Sequence, residues 1–245
     1  MQNKGTCLIT YVPMRAEPRS GAEMVSSLIF GESYTVLEEQ EDWLNIECDY
    51  DQYKGWISKG SHAPFVEMPD INDSLYLEAP GYHQKLLIPC GAQMPMEMQV
   101  EVDGMLYDIK RKLKTNHHLP LRMRILKTAQ SFLNTPYLWG GRTFMGIDCS
   151  GFVQIVFKAN GVFIQRDTSQ QILAGTDISY GKQEAGDLVF FSKPGQSKVS
   201  HVGLLMEAHK VIHASGKVQE TKLTEAGMMM GDTLAYALIG IKRVL

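Results

Sequence analysis

The stretch from Tyr137 to Gly151, Tyr-Leu-Trp-Gly-Gly-Arg-Thr-Phe-Met-Gly-Ile-Asp-Cys-Ser-Gly, constrains this chain more than any other. It follows Pro136, crosses a loop containing Gly140, Gly141 and Gly146, and ends on Asp148-Cys149-Ser150-Gly151. Phe152, Val153, Val156 and Phe157 then recur at the spacing of one helix face. Cys149 therefore falls where a loop becomes a helix. Unpaired N–H groups and the positive helix end at such a position favour a thiolate over a thiol. A lone cysteine is more often a small buried hydrophobe, but two later histidines, His201 and His213, weigh against that reading.

Composition narrows the class. At 245 residues the chain has room for more than one domain. Its net charge of -3, with no long run of one sign, gives no support for nucleic-acid or anionic-membrane partners. Cys7, Cys48, Cys90 and Cys149 are widely spaced and form no CxxC pair, so neither a zinc knuckle nor a disulfide framework is expected. The first three are expected to be inert. No segment approaches the roughly 18 apolar residues of a membrane span. Residues 1–12 do not read as a signal-peptide core. A cytoplasmic protein is expected if Met1 is the natural start, and an exported one if a leader has been removed.

Residues 6–60 read as short strands at Thr6 to Val12, Ser33 to Glu38, Trp43 to Cys48 and Tyr53 to Ser58, divided by Pro and Gly signals. So many strands in so short a segment suggest a small barrel, with Trp43 and Trp56 in its core. Residues 61–118 are broken by Pro64, Pro69, Pro80, Pro89 and Pro95. Strand-like pieces appear at Leu75–Leu77, Lys85–Pro89, Gln99–Val102 and Met105–Ile109, with a two-residue hairpin turn at Asp103-Gly104. A second, degenerate barrel is expected there, an elaborated linker being the alternative. Lys110 to Lys114 and His117-His118 read as a solvated connection.

From Pro120 the pattern changes. Arg122 to Leu133 is an amphipathic helix ended by Asn134 and Pro136; the Cys149 helix follows and closes at Asn160-Gly161; a short helical piece runs from Thr168 to Leu173. Strands return at Asp187–Ser192, His201–Met206, Lys210–Ala214 and Tyr236–Val244. Helices followed by an antiparallel sheet make an α+β domain, in the order of a papain-like cysteine peptidase. A turn around Glu207-Ala208-His209, centred on residue 207, would set His201 directly opposite His213 on one sheet face. One imidazole could then take the thiol proton while the other orients it. Zinc held by Cys149, His201 and His213 is the alternative, but no fourth ligand has convincing spacing, so no metal or cofactor is expected.

Residues 121–245 resemble the NlpC-type family of bacterial cell-wall cysteine peptidases. The resemblance rests on Pro136 to Gly141, Asp148 to Val153, Arg166-Asp167, Ala185 to Phe191, Ser200 to Gly203 and Ile212 to Ala214. Arg15 to Pro18, Phe30-Gly31-Glu32, Asp42-Trp43-Leu44 and Tyr53 to Ile57 resemble a bacterial SH3-like domain. The expected layout is thus an SH3-like barrel at 1–60, a second at 61–118 and the peptidase domain at 119–245. The resemblance implies Cys149 as nucleophile, His201 as base, His213 as orienting member and Tyr137 as a substrate contact beside the thiol.

The whole layout is similar to the dipeptidyl-peptidase branch, which releases L-Ala-γ-D-Glu from a diamino acid in free peptidoglycan peptides. That branch implies a first barrel bordering the cleft, with Tyr53 and an acid receiving the free amine. Glu23 is the candidate acid, with Glu17 competing. Asp167 is a second candidate for the ammonium, while Ser150 and Thr168 could donate to the D-Glu carboxylate. Thr168 also reads as the N-cap of the turn that follows it. Arg166 reads equally as an ion-pair residue or a ligand. The alternatives are a secreted hydrolase of polymeric peptidoglycan and an amidase or acyltransferase on the same scaffold. Lysine or diaminopimelate preference and oligomeric state are not legible.

Overall fold

The computed structural model describes residues 3–97, 99–109 and 118–245. The connection expected at Lys110 to Lys114, with His117, lies outside the described residues. The chain forms two compact units, Met1–Thr115 with Leu138–Phe144, and Asn116–Tyr137 with Met145–Leu245.

The first unit begins with β1 (Lys4–Thr6), β2 (Tyr11–Arg15), β3 (Met24–Ile29), β4 (Ser33–Gln40), β5 (Trp43–Cys48) and β6 (Lys54–Ser58). They pair in the order β1-β4-β5-β6-β2-β3 around a core that includes Val12, Met14, Leu28, Tyr34, Leu44, Ile46 and Ile57. This is the expected small barrel. Trp43 and Trp56 are only half-buried. On β5 the residues turned to the core are Leu44 and Ile46, and strand alternation puts Trp43 on the other face.

Over the range of the expected second barrel the strands are β7 (Asp70–Ile71), β8 (Tyr76–Pro80), β9 (Lys85–Pro89), β10 (Gln93–Met94), β11 (Gln99–Val102) and β12 (Met105–Asp108). They pair in three two-stranded sheets: β7 with β10, β8 with β9, and β11 with β12. Asp103 and Gly104, at φ 50° and 74°, make the tight turn between the last two, the left-handed geometry such hairpins need.

Leu138–Phe144, which includes β13 (Arg142–Thr143), belongs to this unit although it comes from the expected 119–245 segment. Arg142 is its anchor. The guanidinium, 2% exposed, donates to both carboxylate oxygens of Glu32 at 2.8 Å and to the Ser27 carbonyl at 2.6 Å. Glu32 also accepts the Ile29 N–H at 2.9 Å. A buried pair persists only when hydrogen bonds of this kind compensate its desolvation.

The second unit contains α1 (Leu121–Ser131), β14 (Gly146–Ile147), α2 (Cys149–Lys158), α3 (Thr168–Gln171) and the strands β15 (Thr176–Asp177), β16 (Leu188–Ser192), β17 (His201–Glu207), β18 (Lys210–Ser215), β19 (Lys217–Thr224), β20 (Gly227–Met230) and β21 (Thr233–Arg243). α1 ends before Asn134, whose φ of 69° cannot continue a helix. The sheet order is β15-β21-β16-β17-β18-β19-β20, and β21 also pairs with β20. The run from β16 to β21 therefore closes into a ring. Inside it lie Val189, Phe191, Leu205, Val211, Leu223, Met228 and Ile241.

α2 packs on β17 and β18. Phe152, Val153, Val156 and Phe157 are fully buried on it, each contributing about 1.5–3 kcal/mol relative to exposure. Helices precede strands as expected, with strands predominating.

Candidate active site

Cys149 is the first residue of α2. The helix starts there because Asp148, extended at φ -93° and ψ 176°, accepts the Gly151 N–H at 2.7 Å. Arg166 holds that cap. Its Nη2 donates to Asp148 Oδ2 at 2.6 Å, and its Nη1 donates to Asp148 Oδ1 at 3.1 Å and to Ser150 Oγ at 2.8 Å. Gln171 ties α3 to the same helix start by donating to the Ser150 carbonyl at 3.0 Å. Arg166, open at the sequence level between ion pair and ligand, is thus the ion-pair partner of the cap.

The histidines meet, but not in the register expected. Leu204 opposes Ile212 and Leu205 opposes Val211, with an irregularity before the Glu207–Lys210 pair. The turn lies beyond residue 207, at Ala208-His209, and after the irregularity the pairing is centred on 208, so the residue opposing His213 is Gly203 rather than His201. His201 and His213 are diagonal neighbours, still on one face because the offset is two residues. Gly203 makes the diagonal contact possible. A Cβ there would lie 2.3 Å from Val211 Cγ1 and 3.1 Å from His213 Cβ. Across that gap His201 Nε2 and His213 Nδ1 hydrogen-bond at 2.8 Å, rings perpendicular at 89°.

Two residues not expected at the site from the sequence complete this arrangement. His213 Nε2 lies 2.8 Å from Thr221 Oγ1, and Tyr236 stacks on the His201 ring at 4.4 Å and 15°. Tyr236 in turn shares a hydrogen bond with Ser215. Thr221 stands on β19, which the sequence reading did not register. In Lys217–Thr224 only Val218 and Leu223 are fully buried, so the strand has little apolar alternation to show.

The Cys149 sulfur receives hydrogen bonds from the Val202 backbone N–H and the Thr168 hydroxyl. Val202 follows His201, so the bond brings the start of β17 to the thiol. Burial pushes the thiol up to about 11, and the Asp148 carboxylate acts the same way; the Val202, Thr168 and Arg166 groups pull it down but do not win. The helix end was expected to favour a thiolate. Burial and the Asp148 carboxylate at that end push the other way. Burial likewise pushes His201 down to about 3, with the neighbouring His213 adding to the effect, and His213 down to about 4. The resting trio is a neutral thiol and two neutral imidazoles.

Tyr137 is placed by its own N–H donating to the Gly216 carbonyl at 2.9 Å and by a bridge to Ile147. Its phenol is pushed well above its ordinary range, first by burial and then by Cys149 and Asp148, and remains a hydrogen-bond donor. Thr168 is not the cap of α3. Asp167 is, with its N–H donating to Gln170 Oε1 at 3.2 Å, and Thr168, one residue further on, serves the sulfur. Ser150 Oγ accepts from Arg166 Nη1 at 2.8 Å and its O–H donates to Asp148 Oδ1 at 3.4 Å.

Glu23 and Tyr53 belong to the first unit. Glu23 accepts from Trp139 Nε1 at 2.7 Å, and Tyr53 packs against the barrel core. Among the described residues no three His, Cys, Asp or Glu side chains are placed to hold a metal ion. No described helix is long and apolar enough to cross a membrane.

The site sets a buried cysteine at a helix start beside a strand that begins with a histidine. Residues 134–235 match the NlpC/P60 family, and residues 14–61 match the bacterial dipeptidyl-peptidase SH3 domain. The chain thus carries an NlpC/P60 domain over residues 134–235 and a bacterial SH3-like domain over residues 14–61.

Over 225 residues the chain is 28% identical to the gamma-D-glutamyl-L-lysine dipeptidyl-peptidase of Bacillus subtilis (strain 168), covering 82% of this chain and 76% of the relative. Over 264 residues it is 28% identical to dipeptidyl-peptidase 6 of Lysinibacillus sphaericus, covering 92% and 94%. In fold it is similar to an NlpC/P60 family protein from Bacillus cereus ATCC 10987, with a TM-score of 0.79 at 19% identity and 99% of each chain covered.

Proposed function

We propose that this chain is a cysteine peptidase that hydrolyses the γ-D-glutamyl–diamino acid bond of peptidoglycan-derived peptides. It releases L-Ala-γ-D-Glu from peptides with a free amine, as cell-wall recycling requires. The same reading takes 1–60 and 61–118 as two SH3-like modules ahead of a peptidase domain at 119–245. The observation that carries the proposal is the set of contacts at Cys149: a sulfur at a helix start, bonded by Val202 N–H and Thr168, beside a hydrogen-bonded His201–His213 pair. The relative named a gamma-D-glutamyl-L-lysine dipeptidyl-peptidase supports the choice of bond.

In the proposed reaction His201 Nε2 is engaged by His213, which leaves Nδ1 as the base nitrogen. The thiol proton passes to Nδ1 as sulfur bonds to the γ-carbonyl carbon. The C–N bond then breaks and that proton leaves on the amine of the diamino acid. Water, deprotonated by the same nitrogen, hydrolyses the thioester and restores the thiol.

Purified protein incubated with L-Ala-γ-D-Glu-L-Lys, its meso-diaminopimelate counterpart and their N-acetylated forms tests this. The free-amine peptides should yield L-Ala-γ-D-Glu and the acetylated forms far less, with no turnover by Cys149→Ala. Equal rates on intact peptidoglycan and free-amine peptide, or retained turnover by Cys149→Ala, would overturn it.

A further inference from the structure

We infer that Thr221 is a fourth member of the Cys149–His201–His213 constellation, a positioning residue whose hydroxyl holds the proton arrangement in which His201 can act as base. The inference rests on the proposed cysteine-peptidase reading. Thr221 lies two residues along β19 from Gln219, which opposes His213, so the two side chains share one face. His201 Nε2, His213 Nδ1, His213 Nε2 and Thr221 Oγ1 form one line with two 2.8 Å links.

Proton counting gives the hydroxyl its role. The neutral histidine pair has one proton between the rings and one more to place. If that proton sits on His213 Nε2, it is donated to Thr221 Oγ1 and His201 Nδ1 keeps a lone pair for the thiol. If it sits on His201 Nδ1, Thr221 donates to His213 Nε2 and the base is blocked. Once the thiol proton arrives, three protons occupy the pair. Both outer nitrogens then carry N–H, and Thr221 must accept. No other arrangement of the charged pair exists. Thr221 therefore stabilises the state formed during sulfur attack more than the resting state, which is the condition for raising kcat rather than lowering KM.

Thr221→Val keeps the shape and removes the acceptor; Thr221→Ser keeps the acceptor. With the free-amine tripeptide, Thr221→Val should lower kcat by about ten- to a hundredfold, the range for a hydrogen bond to a charged group, with KM within about twofold. Thr221→Ser should recover most of the loss. Thr221→Ala replaces Val if the valine variant does not fold.

Alkylation of Cys149 by iodoacetamide, followed by mass spectrometry of the 149-containing peptide, reads the same relay without peptide substrate. It should slow in parallel. If wild-type protein cleaves no peptide, the functional reading fails while the alkylation comparison still decides the role of Thr221. Unchanged kcat and alkylation in Thr221→Val, or equal impairment of Val and Ser variants, would overturn the inference.

Discussion

Arg166→Met is the substitution that best separates structural support from substrate recognition. In the native site the guanidinium makes two bonds to Asp148, at 2.6 and 3.1 Å, and one to Ser150 at 2.8 Å. The two side chains of the pair are 2% and 8% exposed. Methionine fills a similar volume but leaves the carboxylate in place without its cation. Losing one member of a buried pair costs about 3–5 kcal/mol. The Gly151 N–H at 2.7 Å and the positive end of α2 still face that carboxylate, so the lower end of the range, about 3 kcal/mol, is expected. That corresponds to roughly a hundredfold or more in the local opening equilibrium.

The assay follows where the cost falls. Hydrogen exchange at the amides of Phe152 to Lys158 reports opening of α2, whatever the first unit does. Exchange there should accelerate by roughly two orders of magnitude in Arg166→Met. Because Arg166 helps pull the Cys149 thiol down, the thiol should also move further up and alkylate more slowly at fixed pH. The double variant Arg166→Met, Asp148→Asn should recover part of the loss, since no carboxylate remains to be left without its cation. A change in exchange of less than about 1 kcal/mol, with KM for peptide raised, would refute the reasoning and make Arg166 a ligand for the substrate carboxylate.

Other outcomes follow from the same geometry. His201 and His213 stay neutral in the folded state to about pH 3 and 4, whereas in the unfolded chain they protonate near 6.5. Between those limits the unfolded state binds more protons. Stability is therefore full above 6.5 and falls as pH drops, by about 1.4 kcal/mol per pH unit for each imidazole. Urea midpoints measured from pH 7 to 5 should fall less steeply in His213→Gln than in wild type, and identical slopes would contradict the burial assignment. Gly203→Ala should destabilise the second unit and lower activity together, because its Cβ would lie 2.3 Å from Val211 Cγ1 and press on His213; full activity in a variant of native stability would contradict that.

How far the sequence could be read depended on what each feature leaves behind in composition. Cys149 was legible because a helix start has a local grammar: an Asp cap, a glycine, then apolar residues at helical spacing. The shared face of His201 and His213 was legible too, since a strand has period two. Their register was not. The turn falls at Ala208-His209 rather than at 207, and an irregularity between Leu205 and Glu207 sets the final pairing, neither of which residue types alone reveal. Trp43 and Trp56 were placed in the core on size alone, but alternation gave the core to smaller neighbours. Thr221 and Tyr236 were out of reach for a different reason. Each matters through one cross-strand contact, and a threonine on a mostly polar strand looks like any other.

The largest departure concerns the charge on the sulfur. A helix start alone argues for a thiolate, but the same start needs an N-cap, and here the cap is a carboxylate. Asp148 uses the exposed N–H groups and the positive helix end for itself, and its own charge opposes a second negative charge one residue away. Burial of Cys149 adds to that opposition. Arg166, placed against Asp148, returns part of the positive field without restoring it. The feature that positions Cys149 therefore also keeps its thiol protonated at rest. Under the cysteine-peptidase reading, activation must come from the other side, through a histidine pair kept neutral by burial and thus holding a free lone pair. The proton then moves when a carbonyl carbon is there to receive the sulfur, and the neutral pair is what the ring of β16 to β21 holds ready in His201 and His213, with the Tyr236 ring stacked on His201.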